Sequence, residues 1–225
     1  MTLHLCLDSM VANRRGRRPE TGARLEPYRV LELLLVTLAL IFLLPLLVIL
    51  AVAVKATSRG PALYRQDRLG LDGRLFGCLK FRSMQIDAGE RLAALLETDP
   101  IAAQEWAVYR KLTNDPRITP LGHFLRRSSL DELPQLFNVL TGEMSLVGPR
   151  PIVVDEIHYY GRHISTYCSV RPGISGLWQI SGRSNTTYRR RVAFDRLYVK
   201  RKSFGLDVAI TLKTIPAVLT SRGAR

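Results

Sequence analysis

Residues 30–54, "VLELLLVTLALIFLLPLLVILAVAV", constrain this chain more than any other stretch. As a continuous helix they span about 37 Å, enough for a hydrocarbon core of about 30 Å, so the chain meets a membrane. Pro45 falls mid-run, where it removes a backbone donor and clashes with the preceding turn, so a kink is expected there. Arg14, Arg15, Arg17, Arg18, Arg24 and Arg29 precede the run, and Lys55, Arg59, Arg65 and Arg68 follow it. The positive-inside tendency therefore pulls both flanks to the cytoplasmic side. A re-entrant helix over 28–57, which enters, breaks at Pro45 and returns, satisfies both constraints; a single-pass helix is the alternative. A secretory signal is disfavoured, because the run far exceeds an h-region of about 7–15 residues, although "AVA" at 51–53 resembles a cleavage site. Residues 1–27 are rich in Arg, Gly and Pro without apolar periodicity and read as a disordered basic arm near anionic headgroups, with Met10 a second candidate start.

The formal net charge of +14 points to anionic partners: nucleic acid, acidic lipid or phosphorylated small molecules. Cys6, Cys78 and Cys168 are few, far apart and without a CxxC pair, so neither a disulfide framework nor a zinc site is indicated. His4, His123, His158 and His163 are equally scattered.

Beyond the membrane segment the pattern predicts an α+β unit over 58–225, mostly helical with a small β-hairpin or sheet. The hairpin is expected at 62–82 around Asp72-Gly73, a dipeptide that tolerates positive φ at both positions. Helices are expected at 86–98, 100–112, 152–161, 187–201 and 205–220. The last is too broken by Asp207, Lys213 and Pro216 to span a membrane; it lies in the membrane interface or packs as an ordinary helix.

The densest chemistry lies in "RRSSLDELPQLFNVLTGEMSLVGPRP", residues 126–151. Leu133, Leu136, Phe137 and Leu140 mark a short amphipathic helix that ends near Gly142, and Pro134 is tolerated only in its first turn. Asp131 and Glu132 thus stand at a helix start. Two readings follow: a cap, with Asp131 as N-cap or Ser129 and Glu132 as a capping box, or a seat for phosphate chemistry. The cations around the pair favour the second. Arg126 and Arg127 precede it, prolines bracket Arg150 in "GPRP", and Arg171 in "RPG" and Arg183 in "SGRS" also sit on tight turns. An aspartate among phosphate-binding arginines is suited to act as a covalent nucleophile, and two adjacent carboxylates call for a hard divalent cation such as Mg2+.

These segments together, "KFRSM" (80–84), the 126–151 block, "VRPGISGLWQISGRS" (170–184) and the terminal "KTIPAVLTSRGAR", resemble the bacterial monotopic phosphoglycosyl transferases. Within that family they are most similar to the undecaprenyl-phosphate hexose-1-phosphate transferases that initiate exopolysaccharides. The resemblance runs from about residue 28 to the C-terminus. It implies a two-step reaction in which a carboxylate displaces UMP from UDP-galactose or UDP-glucose and the phosphosugar enzyme is attacked by undecaprenyl phosphate. By motif position Asp131 is the implied nucleophile and Mg2+ ligand, and Glu132 its partner as general base or metal-shell residue. Lys80, Arg126, Arg150 and Arg183, with Arg171, are the implied contacts to phosphates or nucleotide. A re-entrant helix in the inner membrane, with the catalytic domain on its cytoplasmic face, is implied as well. The family breaks that helix at Ser-Pro, whereas this chain has Leu44-Pro45 and lacks a hydroxyl to bond the freed carbonyl. No nucleic-acid partner is expected on this reading. The competing expectations are a membrane-tethered basic protein that binds nucleic acid or anionic lipid, in which the acidic pair has no role, and a scaffold that binds nucleotide sugar without turnover.

Overall fold

The computed structural model describes residues 27–109, 112–181 and 187–219. Of the basic arm expected over 1–27 only Pro27 falls among them, and Arg183 lies outside them. The apolar run forms one helix, α1 (Pro27–Thr57), with Pro45 inside it. Its surface is divided: Val36, Leu40, Leu47, Leu50 and Val54 are buried, while Ile41, Phe42, Leu44, Val48, Ile49 and Val52 are exposed. Over Tyr28–Thr57 it is long and apolar enough to cross a bilayer. The helix continues through Pro45 without interruption, so the break expected there is not present.

A short connection leads to the hairpin of β1 (Leu63–Leu69) and β2 (Leu75–Phe81), antiparallel with Leu63 opposite Phe81 and Arg68 opposite Phe76. Asp72 and Gly73 both take positive φ, +57° and +74°, as the dipeptide predicts. Then come α2 (Ala88–Thr98), α3 (Pro100–Tyr109) and α4 (Pro120–Ser128). A 3-10 turn, Leu130–Glu132, leads into α5 (Gln135–Leu140) and β3 (Ser145–Val147). The short helices α6 (Ile157–Tyr160) and α7 (Ile164–Tyr167) precede β4 (Gly173–Ser175), which pairs in parallel with β3. The chain continues through α8 (Leu177–Ser181), α9 (Tyr188–Arg201) and α10 (Phe204–Leu219).

The hairpin and most expected helices are therefore present. The helix expected over 152–161 is instead a 3-10 turn, Val154–Glu156, running into the four-residue α6, which ends at Gly161 in a positive-φ conformation. Helix α4 and the β3–β4 pair were not anticipated. That pair depends on backbone contact that only glycine permits: a Cβ on Gly173 would lie 2.0 Å from the Gly148 nitrogen, and one on Gly148 would lie 2.5 Å from the Arg171 carbonyl.

The main core joins the membrane helix to the domain: Val36, Leu40, Leu47, Leu50 and Val54 cluster with Phe76, Cys78 and Phe81 of β2, Leu125 of α4 and Leu136 and Val139 of α5. At its centre is the buried amide of Asn138. Its Nδ2 donates to the Gly77 carbonyl at 2.9 Å and to Glu143 at 2.6 Å, and its Oδ1 accepts from the Leu79 N–H at 3.0 Å. Its carbonyl also takes the N–H groups of Glu143 and Met144, both at 3.0 Å. One residue thus fixes β2 onto α5. Asn138→Leu would strand the Gly77 carbonyl and the Leu79 N–H in the core, and is expected to lower stability by about 2–4 kcal/mol; an unchanged denaturation midpoint in detergent would contradict this.

Candidate active site

The acidic pair owes its position to the way α4 stops. Thr119 caps the start of α4 by accepting the Gly122 N–H at 2.9 Å, with Pro120 in the first turn. Ser129, at φ +57°, closes the other end through its N–H to the Leu125 and Arg126 carbonyls. The chain then tightens into Leu130–Glu132 and passes through Pro134 to α5. The capping-box reading does not hold: the Ser129 side chain makes no cap bond, and the Glu132 carboxylate turns away to Lys80. Nor is the start of α5 an open anion seat. The N–H groups of Glu132, Leu133, Leu136 and Phe137 already bond to the carbonyls of Ser129, Leu130, Leu133 and Pro134. Side-chain cations therefore provide the positive charge of the site.

Lys80 of β2 donates to Glu132 Oε1 at 2.8 Å, and an Arg150 guanidinium nitrogen lies 3.5 Å from the same oxygen. Arg68 of β1, Cys78, Gln135, Pro151, Gly173 and Ile174 complete an open cleft. The "GPRP" and "RPG" motifs meet at this wall, where Gly148 N–H bonds to Ser175 O and Gly173 N–H to Pro149 O, both at 2.8 Å. The Tyr167 hydroxyl sits among the Leu69 carbonyl (2.9 Å), the Arg150 carbonyl (3.2 Å) and the Ile152 N–H (3.2 Å), tying the Arg150 segment to β1. Arg68 is held by its bonds to the Pro151 carbonyl at 2.9 Å and Gln66 at 2.7 Å, while its Nε is buried without a partner.

The two carboxylates differ sharply. Burial would raise Glu132, but the charges of Lys80 and Arg150 and the Lys80 hydrogen bond outweigh it and push the group down to about 2. Burial and the neighbouring Glu132 charge push Asp131 up to about 6, against the opposing pull of Lys80, Arg126 and Arg150. Asp131 makes no hydrogen bond or ion pair with the described residues. Glu132 is thus a committed anion that fixes two cations, and Asp131 beside it is an uncommitted carboxylate within reach of the charges of Lys80, Arg126 and Arg150.

This donor set bears on the expected Mg2+. Among the described residues no cluster of three His, Cys, Asp or Glu side chains could cage a metal. One free carboxylate next to the cations Lys80 and Arg150 does fit an ion that keeps water and shares oxygens with a bound anion, and Asp131 is the residue that would hold it.

Of the residues singled out by sequence, Asp131, Glu132, Lys80 and Arg150 converge here. Arg126 adjoins Asp131 from the last turn of α4 without lining the cleft. Arg171 donates from Nε to the Gly142 carbonyl at 2.8 Å and bolts the β4 approach to the end of α5. Pro45 lies in α1, remote from these contacts in sequence. Arg68, Gln135 and Tyr167 were missed. Arg68 was within reach of the hairpin argument: residues 64, 66 and 68 pair with 80, 78 and 76, so Arg68 and Lys80 share one face of the ribbon.

Comparison with known proteins identifies the family. The family model described as "Bacterial sugar transferase" matches residues 25–221. The chain is 54% identical over 165 residues to the undecaprenyl-phosphate galactose phosphotransferase of Salmonella typhimurium, covering 73% of this chain and 35% of that protein. It is 40% identical over 205 residues to the UDP-glucose:undecaprenyl-phosphate glucose-1-phosphate transferase of Escherichia coli, covering 88% of this chain and 41% of that one. With the exopolysaccharide production protein ExoY of Sinorhizobium fredii it shares 47% identity over 196 residues, covering 87% of both chains. The chain therefore spans well under half of the two longer relatives and most of the shorter one. A membrane helix packed onto a domain whose acidic pair faces Lys80 and Arg150, together with a family match over nearly the whole chain, makes this chain a member of the bacterial sugar transferase family.

Proposed function

We propose that this chain transfers hexose 1-phosphate from a UDP-sugar, UDP-galactose or UDP-glucose, to undecaprenyl phosphate, and so starts an exopolysaccharide repeat unit. The observation that carries the reading is the asymmetry of the acidic pair: Glu132 is held by Lys80 and Arg150, while Asp131 beside it is free to react. In the first step an Asp131 oxygen attacks the β-phosphorus of the donor. The bond from that phosphorus to the bridging oxygen breaks, and its electron pair leaves with UMP. In the second step an oxygen of the lipid phosphate attacks the same phosphorus and the electron pair of the aspartyl–phosphorus bond returns to Asp131. Lys80, Arg68 and Arg150 face the phosphate charge, and Glu132 keeps Lys80 and Arg150 in place. A carboxylate held so far below neutrality is a weak base, which supports an electrostatic role for Glu132 over the general-base role that the resemblance allows. A divalent ion held by Asp131 would supply further neutralisation of the phosphates.

The membrane reading extends to topology. Both ends of α1 are tied to the same domain. Arg29 donates to the Val139 carbonyl at 2.7 Å, Glu32 accepts from the Ser145 hydroxyl at 2.6 Å and the Leu146 N–H at 2.5 Å, and a short connection joins Thr57 to β1. A helix with its ends on opposite faces would pull Val139 and Leu146 away from the rest of the domain. This supports a disposition in which both ends of α1 lie with the domain at the cytoplasmic face of the inner membrane, although the helix itself runs through Pro45 unbroken.

Purified protein given each UDP-hexose with undecaprenyl phosphate is expected to release UMP with one of them, and Asp131→Asn to lose at least about 3 orders of magnitude of that rate. Turnover of Asp131→Asn within about tenfold of the wild-type rate would remove the nucleophile. For topology, a membrane-impermeant thiol reagent applied to intact spheroplasts should label neither Tyr28→Cys nor Ser58→Cys in a background lacking the native cysteines. Labelling at Tyr28→Cys would show a spanning helix.

A further inference from the structure

Two amides stand three residues apart on α5, and the fold uses only one of them. Asn138 is engaged with β2 and Glu143. Gln135 is 3% exposed and lines the cleft, yet its side-chain amide makes no hydrogen bond with the described residues. A second polar group of the same cleft is in the same condition. Arg68 Nε is buried without a partner, although the terminal nitrogens of that guanidinium bond to Pro151 and Gln66. Buried polar groups have lost their water and are seldom left unbonded, so two of them in one cleft wall point to a ligand.

Position says which part of that ligand Gln135 meets. Leu133 and Pro134 keep helical φ and ψ, so the chain stays helical from the Leu130–Glu132 turn into α5. Gln135 is thus related to Glu132 by i, i+3 and to Asp131 by i, i+4, spacings that share one helix face, and Glu132 lines the cleft with it. In the donor the hexose is bonded to the phosphorus that Asp131 attacks, whereas the uracil is separated from that atom by a second phosphate and a ribose. One helical turn from the nucleophile, the nearest part of the donor is the sugar.

The chemistry of the side chain agrees. Lys80, Arg68 and Arg150 only donate, which suits phosphate oxygens, but an amide presents a donor and an acceptor together. A phosphate would leave the amide oxygen unused; a hydroxyl, which both donates and accepts, engages both ends. We infer that Gln135 recognises the hexose of the donor, its amide paired with a sugar hydroxyl while the three cations face the phosphates. This rests on the transferase reading above and adds to it the residue that selects the sugar. A sugar that lacks the hydroxyl, or presents it in the other configuration, leaves the amide buried and unsatisfied, and is rejected for that reason.

The test compares wild type with Gln135→Met in lipid nanodiscs, using undecaprenyl phosphate and the UDP-hexose that the wild type turns over. The variant should keep a thermal midpoint no lower than wild type, because no bond within the protein is lost, while kcat/KM for the donor falls by about 10- to 100-fold. Inhibition by UMP, which has no hexose, should change by less than about twofold. Across donors each lacking one hexose hydroxyl, wild type should lose at least about 100-fold with one of them, and Gln135→Met should narrow that loss to within about tenfold. Gln135→Asn, whose amide is one methylene short, reads the same contact if the methionine variant does not fold. Unchanged donor kcat/KM, an equal loss of UMP inhibition, or unaltered selectivity across the deoxygenated donors would overturn the inference. Failure of the wild type to turn over any UDP-hexose would instead count against the transferase reading.

Discussion

The buried amide of Asn138 is the joint on which the site depends. Two adjacent carboxylates in a partly buried turn repel each other and lose hydration, so they persist only if cations are brought to them and held. Lys80 is more than fifty residues away in sequence, on a hairpin with no covalent reason to face the turn. Asn138 supplies the reason, because its side chain bonds both the Gly77 carbonyl and the Leu79 N–H, and Lys80 is the next residue along that strand. Tyr167 does the equivalent for Arg150 by gripping backbone groups of Leu69, Arg150 and Ile152 together. Neutral hydrogen bonds thus place the backbone that carries the charged groups, and Glu132 then fixes the Lys80 and Arg150 side chains.

That arrangement explains why neighbours in sequence differ in chemistry. Glu132 has both cations and stays ionised; Asp131 has burial, a like charge at its side and no partner. Ionised Asp131 is therefore stabilised less than its neighbour and has more to gain from an approaching phosphorus or a divalent ion. A symmetric pair, each with its own arginine, would form a good structural ion-pair network and a poor nucleophile.

Local chemistry was legible in the sequence wherever the chain itself determined it. Asp72-Gly73 announced the hairpin because those residues tolerate positive φ, and Pro134 placed the start of α5 because it can sit only in a first turn. The same local logic misjudged the acidic pair as a possible cap, since only the fold shows that Glu132 is drawn to Lys80. Helix α4 was legible in its Thr119-Pro120 start but was not anticipated, and the β3–β4 pairing was not legible because three-residue strands carry no alternation. Asn138 and Tyr167 look like ordinary helix residues in sequence, and their roles reside in contacts with backbone far along the chain. Arg68 figures in the sequence only as flanking charge of the apolar helix, although strand parity already set it on the same ribbon face as Lys80.

The membrane helix and the chemistry are one construction, since α1 shares its core with β2, α4 and α5 and bonds directly to the segments that carry the acidic pair and Arg150. The central claim is that Asp131 carries the sugar phosphate between a soluble donor and a lipid. Intact-protein and peptide mass spectrometry after brief exposure to the UDP-hexose, without lipid acceptor, tests it most directly. The account predicts one hexose phosphate per chain, mapped to the peptide containing Asp131 and discharged on addition of undecaprenyl phosphate. Turnover with no such adduct, or an adduct mapped to another residue, would contradict it.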